Sequence, residues 1–429
     1  MSWNRRVHRF GLESVKVVLV SPFTPPLVGG LENICLWLAQ QLRVDGHDVS
    51  IVGRFAASRP GLHGRFLRRE TQRHFECDGI PVSILPPLPF AGLGGAAIYA
   101  AMQSPATLPL ARCLQARGVG AAVAAQCRGA DAVHYLGTGL DMLGFAAETA
   151  ARETGATFSI EPAIHIGRWG DRWIDAALYR MADAVLAYSE CEAAVIRRMG
   201  VAADRVHRIH CRCNFRDGGD AAAFRVKHGI RGPLVLFLGR KTEAKGVRRL
   251  VDAWPAVRRR VSDATVVFMG PSDGKCHIPR GDQVLDIDDA SEAEKHDALA
   301  ACDLLCVPSD GESFGFVYFE AWAHGKPVVA IEQPALEETI GEAGGGLLVQ
   351  PSAAAIAAAV VTLLGDPVAR DAMGRRGKEY ARRHFAHDAY REYLDAFAAA
   401  AGQRRPSSVV PSAGAAHSPQ PGAWSGDQR

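Results

Sequence analysis

Apolar positions along the chain fall into short β-branched runs separated by stretches at helical spacing. The run VKVVLV, residues 15–20, is apolar on both faces, the mark of a strand covered by helices on either side and therefore of a parallel sheet. A Pro/Gly loop, SPFTPPLVGG, follows. Leu31 to Leu42 then carries apolar residues at helical spacing, Asp45-Gly46 breaks it, and His47 to Val52 forms the next strand. The same alternation predicts strands near 131–136, 156–161 and 184–188, each followed by a helical pattern.

A second series begins with PLVLFLG, 233–239, and runs through a helical stretch from Val247 to Arg260. It continues with ATVVFMG at 264–270, LLCVPS at 304–309 and KPVVAI at 326–331. The irregular segment from Val206 to Arg231 reads as linker and hinge. The expected fold is α/β, two Rossmann-like doubly wound domains facing a central cleft, over 14–210 and 211–387. A helix at 388–401 is expected to cross back to the first domain. Residues 402–429, dominated by Pro, Ser, Gly, Gln and Ala, read as a disordered tail that cannot offset its ordering entropy.

Charge narrows the class. The 429 residues hold 49 basic and 46 acidic side chains, a net +3, so the chain lacks the footprint of a nucleic-acid binder and any anion binding must be local. Ten scattered cysteines, with no secretory apolar region ahead of them, predict free thiols in a reducing cytoplasm. The uncharged stretch from Gly79 to Ala111 holds six prolines, which leaves no apolar helix of ~20 residues to span a bilayer. Arg54 to His74 carries six arginines against one glutamate. It reads first as a solvated face, and second as a peripheral contact with an anionic leaflet, at ~1 kcal/mol per basic side chain.

Two segments carry candidate chemistry. In LVLFLGRKTEAK, 234–245, a buried strand opens into a loop with Arg240 and Lys245, and a helix starts near Gly246. Ligands of open α/β sheets bind beyond the carboxyl ends of strands, where two cations and a helix N-terminus can hold a diphosphate. In PSDGESFGFVYFEAWAHGKPVVA, 308–330, Glu312 follows a strand and Glu320 lies eight residues on. Carboxylates accept paired hydrogen bonds from vicinal hydroxyls, so two spaced glutamates suit the two ends of a nucleotide sugar. Gly315 permits close backbone approach, and the N–H groups of residues 314–317 suit a diphosphate.

Taken alone, each segment also fits solvated surface charge. His165 ends a strand in TFSIEPAIHIGRWGD, 157–171, with Arg168, Trp169 and Asp171 beside it. His134 reads as structural. His207, His210, Cys211 and Cys213 are metal-capable, but their spacing matches no usual zinc finger; they read as free thiols and surface histidines, and no metal site is expected.

Four stretches in order, PPLVGGLE (25–32), LGRKTEAKG (238–246), ESFGFVYFE (312–320) with AHGKPVVA behind it, and ALEETI…GGGLLVQP (335–351), resemble the retaining glycosyltransferases of the GT-B fold known as glycosyltransferase family four. The resemblance covers about residues 15–400. It implies that Glu312 contacts sugar hydroxyls, that Glu320 holds the ribose, and that Arg240 and Lys245 clamp the diphosphate. It further implies that the backbone at Gly29 and Gly30, and at Ser313, Phe314, Gly315 and Phe316, lies against the donor, and that His165 is the active-site histidine.

The activity implied is transfer of a sugar from a nucleoside diphosphate sugar to an acceptor hydroxyl with retention. It needs no divalent cation or other cofactor and has no enzyme nucleophile; the nucleotide sugar serves as co-substrate. The acceptor is expected to belong to polysaccharide, glycolipid or small-metabolite glycosylation, in the cytoplasm or peripherally at the inner membrane face. One departure is HRIHCRCNFRDGGD, 207–220, where family members often carry an Asn-Gly-Val-Asp type turn. Alternative readings are another GT-B enzyme, such as a nucleotide-sugar epimerase or a sugar phosphorylase, or a catalytically silent nucleotide-sugar-binding scaffold.

Overall fold

The computed structural model describes residues 14–27, 29–68, 70–86, 93–210, 212, 218–281 and 283–403. The apolar run at the start becomes β1 (Lys16–Phe23), which lies inside an eight-stranded sheet. It pairs in parallel with β2 (Asp48–Phe55), Val20 opposite Val52, and on its other side with β5 (Ala132–Leu136), Val20 opposite Tyr135. Along β1, Val17 and Leu19 join one core cluster while Val18 and Val20 join another. Both faces of the strand are therefore covered, as a double-sided apolar run requires. Each such side chain contributes ~1.5–3 kcal/mol of burial.

The sheet order is β3-β4-β2-β1-β5-β6-β7-β8, with β3 (Arg73–Cys77), β4 (Ile80–Ile84), β6 (Thr157–Glu161), β7 (Ala184–Ala187) and β8 (Val206–Arg208) completing it. All pairings are parallel except β3 with β4, a hairpin turned by Asp78 and Gly79 at φ 48° and 76°, the left-handed pair that a two-residue turn demands. Strands β3, β4 and β8 depart from the sequence reading. RHFEC is a largely solvated edge without an apolar run, and the three-residue β8 lies inside the segment read as linker. That segment also contains a helix, Ala221–Lys227.

The second sheet has six parallel strands in the order β11-β10-β9-β12-β13-β14: β9 (Leu234–Leu238), β10 (Thr265–Met269), β11 (Val284–Ile287), β12 (Leu304–Cys306), β13 (Val328–Ile331) and β14 (Gly346–Val349). The four strands expected from sequence are the fully buried ones. The unexpected β11 and β14 are the half-exposed edges, where the apolar signal is weak. Helix Ala389–Gln403 packs back on β6 and β7 of the first sheet. The Tyr393 hydroxyl donates to Glu161 Oε2 at 2.7 Å.

The buried His134 is held between Ser159 Oγ (2.9 Å) and Glu161 Oε2 (3.1 Å) and lies edge-on to Phe397, so it is a core histidine. The segment read as a disordered tail lies, from residue 404 on, outside the described residues. Among the described residues no single helix is long and apolar enough to cross a membrane.

Candidate active site

The chain leaves β9 at Gly239, and three side chains then take different courses. Arg240 lies where the charges of Arg59 and Glu32 from the first domain and of Glu312 from the second act on it. Lys241 turns inward, fully buried, with Nζ held by Asp286 and, at 2.5 Å, by Asp288. Thr242 Oγ1 accepts from the Lys245 N–H (3.3 Å) and so caps the short turn Glu243–Lys245. Gly246 follows at φ 77°, where a Cβ would stand 2.0 Å from the Pro308 carbonyl, and helix Val247–Arg260 begins. Only glycine fits both the backbone and the space there. That turn delivers Lys245 Nζ to Glu312 Oε1 at 2.6 Å.

Glu312 is buried, and its own N–H donates to Gln333 Oε1 at 2.7 Å. Burial works against the charged form, but the Lys245 ammonium beside it holds the carboxyl below its ordinary value. It is therefore an ionised acceptor fixed in position. Gly315, at φ 81°, starts helix Phe316–Ala323, and a Cβ there would meet the Tyr318 ring at 2.5 Å. Glu320 on this helix pairs with Lys295 Nζ (3.0 Å), which also holds Glu292 (2.7 Å). The side chains of Ser313 and Phe314 are buried.

His165 comes from the first domain. Ala163 adopts φ 49°, a left-handed conformation that costs a non-glycine residue ~1 kcal/mol. Just beyond it, the Ile164 N–H donates to the buried Glu192 carboxylate at 2.6 Å. Burial pushes the Glu192 carboxyl up to about 8, against the pull of that N–H. His165 then forms a tight turn with Trp169, the two rings stacked at 3.9 Å.

Its Nδ1 lies 2.9 Å from the Gly311 carbonyl of the second domain. A carbonyl only accepts, so Nδ1 carries the proton and Nε2 presents a lone pair. Burial lowers the imidazole pKa to about 4, and the nearby Glu312 charge only partly offsets this. The ring is neutral at physiological pH. Next to it, Asp310 is shared by Arg168 of the first domain (3.5 Å) and Arg249 of the second.

The glycine pair faces the same cleft. A Cβ on Gly30 would stand 3.1 Å from the Phe316 ring of the second domain. One on Gly29 would stand 2.3 Å from Glu32 Oε2 and 2.7 Å from Arg59 Nη2. No side chain caps the helix Gly30–Val44, so its first N–H groups are left for another partner.

The basic stretch read as a solvated face is corrected in part: Arg68 and Arg73 are exposed, while three of its arginines turn inward. Arg54 is buried, Arg59 binds Glu32 (2.8 Å), Arg65 binds Asp141 (3.3 Å), and both of these guanidiniums lie over the Phe23 ring. Desolvation lowers the Arg240 pKa, the charges of Arg59 and Arg65 add to that effect, and those of Glu32 and Glu312 oppose it. Cations from both domains thus crowd one space, Arg59 paired with Glu32, Arg65 with Asp141 and Lys245 with Glu312.

Three sets of residues went unread in the sequence. Lys241 with Asp286 and Asp288, Lys295 beneath Glu320, and Gln333 beneath Glu312 all arise from contacts distant along the chain. Glu338, within the quoted ALEETI stretch, accepts from the N–H groups of Glu190 and Cys191 (2.7 and 2.8 Å), capping a first-domain helix from the second domain. Of the expected metal-capable cluster, Cys211 and Cys213 lie outside the described residues.

Two family models match this chain. One, described as a glycosyl transferase 4-like domain, spans residues 29–212, and the other, glycosyl transferases group 1, spans 232–366. The chain belongs to glycosyltransferase family four. Within this family, the phosphatidyl-myo-inositol mannosyltransferase of Mycobacterium leprae (strain TN) is 35% identical over 163 residues, 36% of this chain and 43% of that protein. The D-inositol 3-phosphate glycosyltransferase of Segniliparus rotundus is 32% identical over 179 residues, 38% of this chain and 40% of that protein.

The chain thus spans under half the length of these curated relatives. Among solved structures, Anabaena Alr3699/HepE in complex with UDP-glucose superposes with a TM-score of 0.67 at 17% identity, over 89% of this chain and 98% of that one. Sucrose-phosphate synthase from Thermosynechococcus elongatus gives 0.66 at 20%, over 86% and 95%. At these identities the likeness is one of fold, and the fold is GT-B.

Proposed function

We propose that this family member moves a sugar from a nucleoside diphosphate sugar to an acceptor hydroxyl with retention at the anomeric carbon. The observation that carries the reading is the meeting of Lys245, Glu312 and His165 at the domain junction, with Arg240, Arg59 and Arg65 around it. In this reading Arg240 and Lys245 hold the diphosphate, helped by the N–H groups at Gly29 and Gly30 and along Ser313, Phe314, Gly315 and Phe316. Glu312 accepts from sugar hydroxyls and Glu320, oriented by Lys295, from the ribose. His165 Nε2, unprotonated, accepts from one further sugar hydroxyl.

The chemistry follows from those roles. The bond between the anomeric carbon and the diphosphate oxygen breaks, and the electron pair leaves on the diphosphate, whose charge Arg240 and Lys245 neutralise. The same oxygen takes the proton of the acceptor hydroxyl, which bonds the anomeric carbon on the face just vacated. Retention results without an enzyme nucleophile. No divalent cation is needed, because the two fixed cations take its part. His165, neutral near pH 7, positions the sugar and does not donate a proton.

The inositol compounds in the names of the Mycobacterium leprae and Segniliparus rotundus relatives, and the UDP-glucose of the HepE complex, support a polyol hydroxyl and a nucleotide-sugar donor as the substrate classes. The phosphatidyl group in the first of those names is consistent with action at a membrane surface.

A thermal-shift screen of UDP, GDP, ADP and their sugar conjugates, without metal, tests the reading on wild type, Arg240→Ala and Glu320→Ala. A nucleotide-selective stabilisation of the wild type that is lost in both variants is expected. No shift with any nucleotide on folded protein would overturn it in favour of a silent scaffold.

A further inference from the structure

The chain passes between the two sheets twice, and both crossings meet at one cluster of side chains. His210 lies two residues past β8, on the way to the second domain. His387 and Glu392 lie where helix Pro367–Phe385 of the second domain gives way to helix Ala389–Gln403, which packs on the first sheet. Glu392 grips His210 with both carboxylate oxygens, accepting from its backbone N–H at 2.5 Å and facing its Nδ1 at 2.7 Å. The His387 ring stacks on His210, centroids 3.7 Å apart and 6° from parallel, and the His384 ring stands at 4.8 Å. One ligand atom from each of His210, His387 and Glu392 lies within 4.8 Å of the other two.

We propose that His210, His387 and Glu392 form a binding site for a divalent transition metal of the zinc class, and that the bound ion staples the interdomain hinge. Two imidazoles and one carboxylate are an N/O donor set suited to zinc, with a fourth position left for water; magnesium and calcium prefer oxygen ligands alone. Ligands at ~2.0 Å from a tetrahedral ion stand roughly 3.3 Å apart. Closing from the present spacing asks mainly for a turn of the exposed His387 out of its stack on His210, while the other two ligands already hold each other.

On binding, His210 moves its proton from Nδ1 to Nε2 and Glu392 exchanges a hydrogen bond for a metal bond. The metal then links the outgoing and the returning crossing, so it favours one setting of the two domains. The sequence spacing of His207, His210, Cys211 and Cys213 concealed this, since two of the three ligands come from a segment almost two hundred positions away.

The test uses the full chain, free of any tag and stripped with chelator, titrated with Co2+ and then Zn2+. One equivalent of Co2+ is expected, giving visible absorption without thiolate charge transfer, displaced by Zn2+ and raising Tm by a few degrees. His387→Gln and Glu392→Gln are expected to weaken Co2+ at least tenfold. His387→Gln, at an exposed position, should keep the metal-free Tm and the nucleotide-induced shift of the wild type, which separates this inference from the donor-site reading. Absence of stoichiometric binding, a thiolate charge-transfer band that places the ion on cysteines, or wild-type affinity in His387→Gln would overturn it.

Discussion

His165 of the first domain donates from Nδ1 to the backbone carbonyl of Gly311 in the second, across 2.9 Å, and this bond joins the two domains at the site. It settles the tautomer and leaves Nε2 as an acceptor. His165→Ala should lower kcat/KM by about 10–100-fold, the loss of one hydrogen bond that strengthens in the transition state. Steady-state kinetics check this.

The same group sets a pH dependence. Burial takes the His165 pKa from 6.5 down to about 4, so the unfolded chain binds the extra proton first. The stability due to neutral His165 is complete above pH 6.5 and is lost as pH falls from 6.5 toward 4. Urea midpoints across that window should fall with acidification. The slope should flatten in His165→Asn, which cannot titrate. The activity profile between pH 6 and 8 should show no inflection from this histidine.

Lys245 and Glu312 form a pair in which one partner is buried and the other part-exposed. Lys245→Ala leaves a buried carboxylate without its cation and should cost about 1–3 kcal/mol, discounted for the solvent that reaches Lys245. Lys245→Ala combined with Glu312→Gln should cost less than the sum of the single changes. A double-mutant cycle in denaturant measures the coupling. Additive costs would show that the two do not interact.

If fixed cations neutralise the leaving diphosphate, Mg2+ or Mn2+ should not raise the turnover of chelator-treated protein. Arg240→Ala should raise the KM for donor by about 10–100-fold, as loss of a charged hydrogen bond implies, and neither ion should restore it. Donor saturation curves with and without metal decide the matter.

Two glycines should separate stability from binding. Gly315→Ala meets both φ 81° and the Tyr318 ring at 2.5 Å, and should destabilise by roughly 2–3 kcal/mol. Gly29→Ala has extended backbone, φ 179°, and meets only the ends of Glu32 and Arg59. It should leave Tm nearly unchanged and weaken nucleotide binding. Thermal melts with and without nucleotide read both effects.

What the sequence by itself determined is the frame. Runs such as Val15–Val20 and Leu234–Leu238, apolar on both faces, can be satisfied only inside a parallel sheet with helices on either side, and their alternation with helical stretches specifies two such domains. Glycines at 246 and 315 and the spacing of Glu312 and Glu320 are likewise local, because backbone conformation and strand-end position depend on near neighbours. Edge strands escaped notice: β3, β11 and β14 bury too little to show a pattern.

Only the tertiary structure decided the charges. Whether Arg59 and Arg65 were solvated or turned to the cleft, whether His165 was structural or faced Glu312, and which carboxylates hold Lys241 and Lys295 all depend on segments distant along the chain. The same holds for the gathering of His210, His387 and Glu392. Burial and opposite charge act through space, so a titratable side chain takes its protonation state from the fold and not from its sequence neighbours.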